Sequence, residues 1–144
     1  MAFDAGADDY FGRSVAISGD TIVIGSPFDD DVVVNMQGGS GSAYVFVRAD
    51  GDWTRTNKLT AASDAGAGDM FGYSVAISGD TIVIGSHRDD DNNQVDSGSA
   101  YVFVRAYGDW TQQAKLTAAS DAGSSDYFGY SVAVSGDTIV IGSY

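Results

Sequence analysis

The chain contains no cysteine and no glutamate, and it has only one proline, one histidine and seven basic residues in 144. Without cysteine nothing is held by disulfides, and thiol nucleophiles and thiolate metal ligands are excluded. A single histidine leaves almost no material for a Ser–His–Asp or Cys–His mechanism. There is no apolar run of the roughly 18 residues that a membrane-spanning helix needs. The opening stretch "MAFDAGADDYFG" has neither a basic start nor an apolar segment, so it does not read as a signal peptide, although one could have been removed from a precursor.

What is present is aspartate and glycine. All twenty acidic residues are aspartate, the formal net charge is −13 and the pI is near 4.1. Aspartate bonds to nearby backbone and favours turns, whereas glutamate favours helices, so the choice points to a loop-rich, helix-poor protein. Such a charge repels nucleic acid and suits cations or basic surfaces. Nineteen glycines supply tight turns, and 44% apolar residues supply a core.

The chain repeats itself. "FGRSVAISGDTIVIGS" begins at Phe11, "FGYSVAISGDTIVIGS" at Phe71 and "FGYSVAVSGDTIVIGS" at Phe128. A second phrase, "SGSAYVFVR", begins at Ser40 and again at Ser97. The two spacings, 60 and 57 residues, differ only where "PFDDDVVVNMQGG" (27–39) shortens to "HRDDDNNQVD" (87–96). A loop absorbs the difference, so both phrases are framework, and the chain reads as one array with units at 1–63, 64–120 and 121–144.

Each phrase predicts a β-hairpin. "SVAIS" and "TIVIG" are β-branched runs joined by Gly-Asp, which suits a type II′ turn. "SAYVFVR" pairs with "WTQQAKLT" around "AYGD". "AYVFVR" is apolar on both faces, with Ala100, Val102 and Val104 on one and Tyr101 and Phe103 on the other, and therefore needs a sheet above and below it. The fourth strand is polar around Trp110 and Leu116, as an outer edge would be. The expected fold is all-β: four-stranded antiparallel β-meander blades of β-propeller type, ten strands in about two and a half blades, incomplete as a single chain.

"FGYSVAISGDTIVIGS" followed by "GSAYVFVR" resembles the FG-GAP repeat, the blade unit of the integrin α-subunit propeller and of many bacterial surface proteins. Phe71-Gly72 matches the FG, and Gly85-Ser86 stands where GAP would begin. The resemblance implies a secreted or cell-surface protein with binding, adhesion or structural roles more often than catalysis. Calcium-binding members carry a D-x-D-x-D-G loop between the first two strands. Here that loop is "SGDT", with Asp20, Asp80 and Asp137 as lone turn residues, so the family's calcium site is not carried over to them.

In a meander, the connections between strands two and three share one end of the blade with the blade-to-blade segments. That end holds 14 of the 20 aspartates. Asp4, Asp9, Asp64 and Asp69 fall in the blade-to-blade segments. Asp29, Asp30, Asp31, Asp89, Asp90 and Asp91 fall in the two-to-three loops, where Arg88 is the only basic residue. Two readings stand. Those aspartates, with Asn92 or Asn93 assisting, supply the six to eight oxygens of a calcium site; or they are solvated loops that cap turns. No other cofactor is required.

Phe11, Phe71 and Phe128 are read as packing anchors, and Gly12, Gly72 and Gly129 as positions of close approach or positive φ. Trp53 and Trp110 are rim residues that either pack or stack on sugar, and His87 is incidental. The functional expectation is a non-enzymatic binding or adhesion module. A self-assembling filament subunit joined through unpaired blade edges and a carbohydrate-binding module are the alternatives. The expected partners are other copies of the chain, the rest of a longer repeat array, or protein and glycan ligands.

Overall fold

The computed structural model describes residues 8–30, 39–91 and 93–144. Ten strands form two four-stranded antiparallel sheets and one hairpin, as the repeats predict. The first sheet has β1 (Ser14–Ser18), β2 (Thr21–Ser26), β3 (Ser42–Ala49) and β4 (Asp52–Leu59) in sequential order. The second has β5 (Ser74–Ser78), β6 (Thr81–Ser86), β7 (Ser99–Ala106) and β8 (Asp109–Leu116). β9 (Ser131–Ser135) and β10 (Thr138–Gly142) make the hairpin. Among the described residues helix is confined to two single 3₁₀ turns, Ala62–Asp64 and Ala119–Asp121, which the sequence reading did not foresee. No described helix is long and apolar enough to cross a membrane.

Turn chemistry sets the register. Gly19 and Gly79 have φ of +55° between strands paired Ser18 to Thr21 and Ser78 to Thr81, and the aspartate that follows has none, as a type II′ turn requires. In the outer hairpins both turn residues are left-handed: Asp50 and Gly51, then Tyr107 and Gly108. These are the type I′ turns that match strand twist. Each outer pair then carries a bulge, the register shifting between Val45 and Phe46 and between Val102 and Phe103.

Burial shows which face meets which neighbour. Val15 lies opposite Ile24 and Ile17 opposite Ile22, so these four side chains share a face; Ala16 and Val23 share the other. Val23 and Val45 are fully buried and cluster with Val75, Ile77, Ile82, Ile84, Tyr101 and Phe103 of the second sheet. The far face of the first sheet therefore packs on the near face of the second, and the hairpin β9–β10 repeats the arrangement on the second sheet's other side. The innermost strands β1, β5 and β9 are neighbours, as in propeller-type blades, and the arc is not closed. Where a neighbour is missing the same positions are bare. Val15 is 65% exposed against 9% for Val75, and Val140 is 63% exposed against 0% for Val23. Covering one such side chain is worth about 2 kcal/mol.

The repeated phrase is the joint between units. Gly72 has φ of +89°, and its amide donates to the carbonyl of Gly85 in its own unit. Its own carbonyl accepts the Ser14 hydroxyl of the unit before, at 2.9 Å. Gly129 does the same with Gly142 and Ser74. A Cβ on Gly25 would overlap the Gly72 carbonyl, and one on Gly85 would overlap that of Gly129. Phe71 is fully buried, with its amide donating to Ser40 at 2.9 Å, and packs edge-on against Tyr101 and Phe103. At the opposite end Ser18 and Ser78 accept the amides of Gly79 and Gly136, and Arg105 reaches Thr21 across the junction.

Gly85→Ala should lower stability by about 2–4 kcal/mol, because backbone must move to admit the methyl group. Gly142→Ala, at the equivalent position, meets only the movable Ser131 hydroxyl and should cost less than about 1 kcal/mol. Urea melts of the two variants measure the difference; equal losses would place the constraint inside the hairpin and not at the joint.

Candidate functional site

The two-to-three loops and the blade-to-blade segments meet at one end of the arc. Arg88 donates its amide to the Asp69 carbonyl, and Gly41 bridges to Phe71. The opposite end carries Asp20 and Asp80, each in an exposed ion pair with an arginine, Arg48 or Arg105, at 2.6 Å.

The aspartates of the loop end are largely occupied. Asp29 is buried and accepts hydrogen bonds from the Ser42 and Tyr44 hydroxyls and the Lys58 ammonium. Asp89 repeats this with Ser99, Tyr101 and Lys115. Burial, reinforced by Asp29, pushes the Tyr44 phenol up to about 12, so it stays a donor; burial and Asp64 raise Tyr101 likewise. Lys115 also holds Asp64 and, at 3.0 Å, Asp91. Burial alone would lower its ammonium, but the bonds to Asp64, Asp89 and Asp91 outweigh that and hold it above the ordinary lysine value. The Lys115 contact in turn keeps Asp64 below the usual carboxylate range.

Register explains how a lysine of the polar outer strand arrives there. Counting back from the turn without a bulge, Lys115 would lie opposite Ala100, on the other face. The bulge brings it opposite Tyr101, and Lys58 opposite Tyr44. This is the contribution that sequence reasoning missed. The signal available was the recurrence of lysine at Lys58 and Lys115 in "KLTAAS".

Of the remaining candidates, Asp69 is buried and its carboxylate accepts the Gly66 amide at 2.6 Å, while its carbonyl accepts the Ser86 hydroxyl. Asp9 is buried at the equivalent place, its carbonyl accepting Ser26. Asp90 accepts the Asp96 amide, Asp30 is exposed, and Asn93 takes a left-handed turn position. Asp4, Asp31 and Asn92 lie outside the described residues. The structure thus gathers Asp64, Asp89 and Asp91 and keeps Asp29 apart from them in its own unit. Among the described residues no three carboxylate or histidine side chains are placed to share a metal ion. Where three carboxylates converge the cation between them is the Lys115 ammonium, so this donor set does not fit calcium while that lysine is charged.

Next to these loops lies a cleft of about 520 Å³. Its walls come from equivalent positions in all three units. The residues that follow each Phe-Gly are Arg13, Tyr73 and Tyr130, and those that precede it are Tyr10, Met70 and Tyr127. Phe28, His87 and Arg88 enter from the loops after β2 and β6. The His87 ring lies 4.0 Å from that of Tyr73 and edge-on to Tyr130 at 5.5 Å. The Arg13 guanidinium sits over Tyr73 at 4.3 Å. His87 is 5% exposed, and its Nδ1 has no hydrogen-bond partner among the described residues. The rim tryptophans behave differently from one another. Trp110 is buried in the core cluster beneath Arg105, which removes it as a sugar platform, whereas Trp53 is partly exposed beside Arg48.

Two titrating groups here oppose one another. Burial raises the Asp69 carboxyl to about 6, the Gly66 amide opposing and the charges of Asp89 and Asp90 adding to the rise. Between about pH 4 and 6 the folded protein keeps a proton that the unfolded chain has released, so Asp69 costs stability as pH rises. Burial, with Arg88 and Arg13, lowers His87 to about 4. Between about pH 4 and 6.5 the unfolded chain binds a proton that the folded one does not, so His87 adds stability as pH rises. Urea melts across this window should show Asp69→Asn gaining stability with rising pH relative to wild type, and His87→Gln losing it, each by about 1–3 kcal/mol. Profiles parallel to wild type would show that neither group titrates as its burial requires.

A family model for the FG-GAP repeat matches residues 1–46, 53–103 and 110–144. No curated protein matches the chain.

Proposed function

Since the chain belongs to the FG-GAP repeat family, whose repeats occur in non-catalytic propeller proteins of the extracellular binding and adhesion type, we propose that it is a surface or secreted binding module that takes its ligand in the aromatic cleft at the loop end. One observation carries this reading. The only described basic side chains without a carboxylate or ring of their own unit to hold, Arg13 and Arg88, stand in a cleft to which every repeat contributes. A cleft of that volume, mostly ring surface with a few polar groups, is the usual form of a small-ligand site.

The test is ligand-observed NMR with a panel of simple sugars, sugar acids, amino acids and aryl acids at millimolar concentration. Wild type should bind at least one member, and Tyr73→Ser, which removes a wall while leaving the Phe71-Gly72 backbone contacts in place, should weaken that binding about tenfold or more. An empty panel, or binding unchanged in the variant, would overturn the reading.

A second reading concerns assembly, and the bare faces favour it. Val15 and Ile17 on one face and Val140 on the other fit a further unit of the same repeat, whether from the same polypeptide or from a second copy. Light scattering at micromolar concentration should show species larger than the 14.9 kDa of one chain, and Val15→Asp with Val140→Asp should return them to one chain. A monodisperse single chain in wild type would count against assembly.

A further inference from the structure

We propose that the ligand of the cleft is a carboxylated saccharide, a sugar acid whose carboxylate is met by Arg13 and Arg88 and whose ring lies against Tyr73 and Tyr130. The inference rests on the cleft being a binding site and names what it binds.

Charge gives the first element. In a chain of net charge −13, Arg48, Arg105, Lys58 and Lys115 each hold an aspartate, whereas neither Arg13 nor Arg88 has a carboxylate partner among the described residues. The Arg13 guanidinium stands over the Tyr73 ring at 4.3 Å, and the N–H fork of an arginine matches a carboxylate. The surrounding aspartates set an upper limit on ligand charge. Asp69 and Asp90 flank Arg88 in the same loops, so a polyphosphate or polyanion is repelled where a single carboxylate is accepted.

The walls give the second element. Tyrosine offers an apolar face and a hydroxyl at its edge, which suits a ligand with C–H faces and hydroxyl rims. About 520 Å³ accommodates one or two sugar rings and not a folded partner.

The test is calorimetric titration of the whole chain with D-glucuronate, D-galacturonate and N-acetylneuraminate, set against methyl glucoside, methyl galactoside, benzoate and inorganic phosphate. At least one sugar acid should bind about tenfold more tightly than its neutral counterpart and than benzoate or phosphate. Arg13→Gln with Arg88→Gln should bring it down to the neutral sugar's affinity, and the melting temperature of the double variant shows whether it is folded. Neutral sugars binding as well as acids, or benzoate or phosphate matching them, would overturn this inference and leave the binding-module reading standing. Binding of none of the probes, together with an empty NMR panel, would remove both.

Discussion

Everything in this molecule depends on how closely the backbone of one unit approaches the next. Phe71-Gly72 enters between Gly25 and the Gly41–Ser42 step of the unit before, and neither Gly25, Gly41 nor Gly72 has room for a side chain there. The approach fixes the spacing of the sheets, and the spacing lets Val23 and Val45 of one meet Val75 and Ile77 of the next. It also fixes where the flanking residues go. Because Phe71 is pinned by the Ser40 carbonyl, Met70 and Tyr73 on either side of it are held at the mouth of the cleft. The packing of the units and the lining of the cleft are therefore set by one local geometry.

The acidic loops are a second consequence of the same repetition. A buried carboxylate is tolerated only when its lone pairs are met, and Asp29 and Asp89 are met by a serine and a tyrosine of the neighbouring strand and a lysine beyond it. The lysine reaches them only through the bulge in the outer hairpin. Much of the charge that seems in sequence to await an external cation is thus met from within, while the opposite sign is left over at Arg13 and Arg88.

The sequence discloses the ten strands, their order and the type II′ turns of the inner hairpins, because repeated hairpin phrases leave few alternatives and glycine at a defined turn position fixes register. It also discloses that the two aspartate-rich segments share an end, which follows from meander parity alone. It does not disclose the bulge, since one unpaired residue among "RTNK" or "TQQAK" has no compositional mark, and with the bulge goes the destination of Lys58 and Lys115. The cleft is hidden for another reason. Its residues lie at the variable positions around an otherwise constant phrase, so they look like noise in the repeat: Arg13, Tyr73 and Tyr130 in one column, Pro27-Phe28 and His87-Arg88 in another. His87 drew no attention because it occurs once, and a site assembled across units is made of single occurrences.

That separation between constant and variable columns means the joint and the cleft use different alphabets. The letters that build the joint are glycine, phenylalanine and serine, through close backbone, a buried ring and a hydroxyl. The letters that line the cleft stand one residue away, with side chains directed elsewhere. The second alphabet differs from unit to unit, with arginine in one and tyrosine in two, proline in one and histidine in another, while the first is spelled alike in all three. An array of this kind is a writing surface, and its vocabulary grows with the number of units that border one cleft.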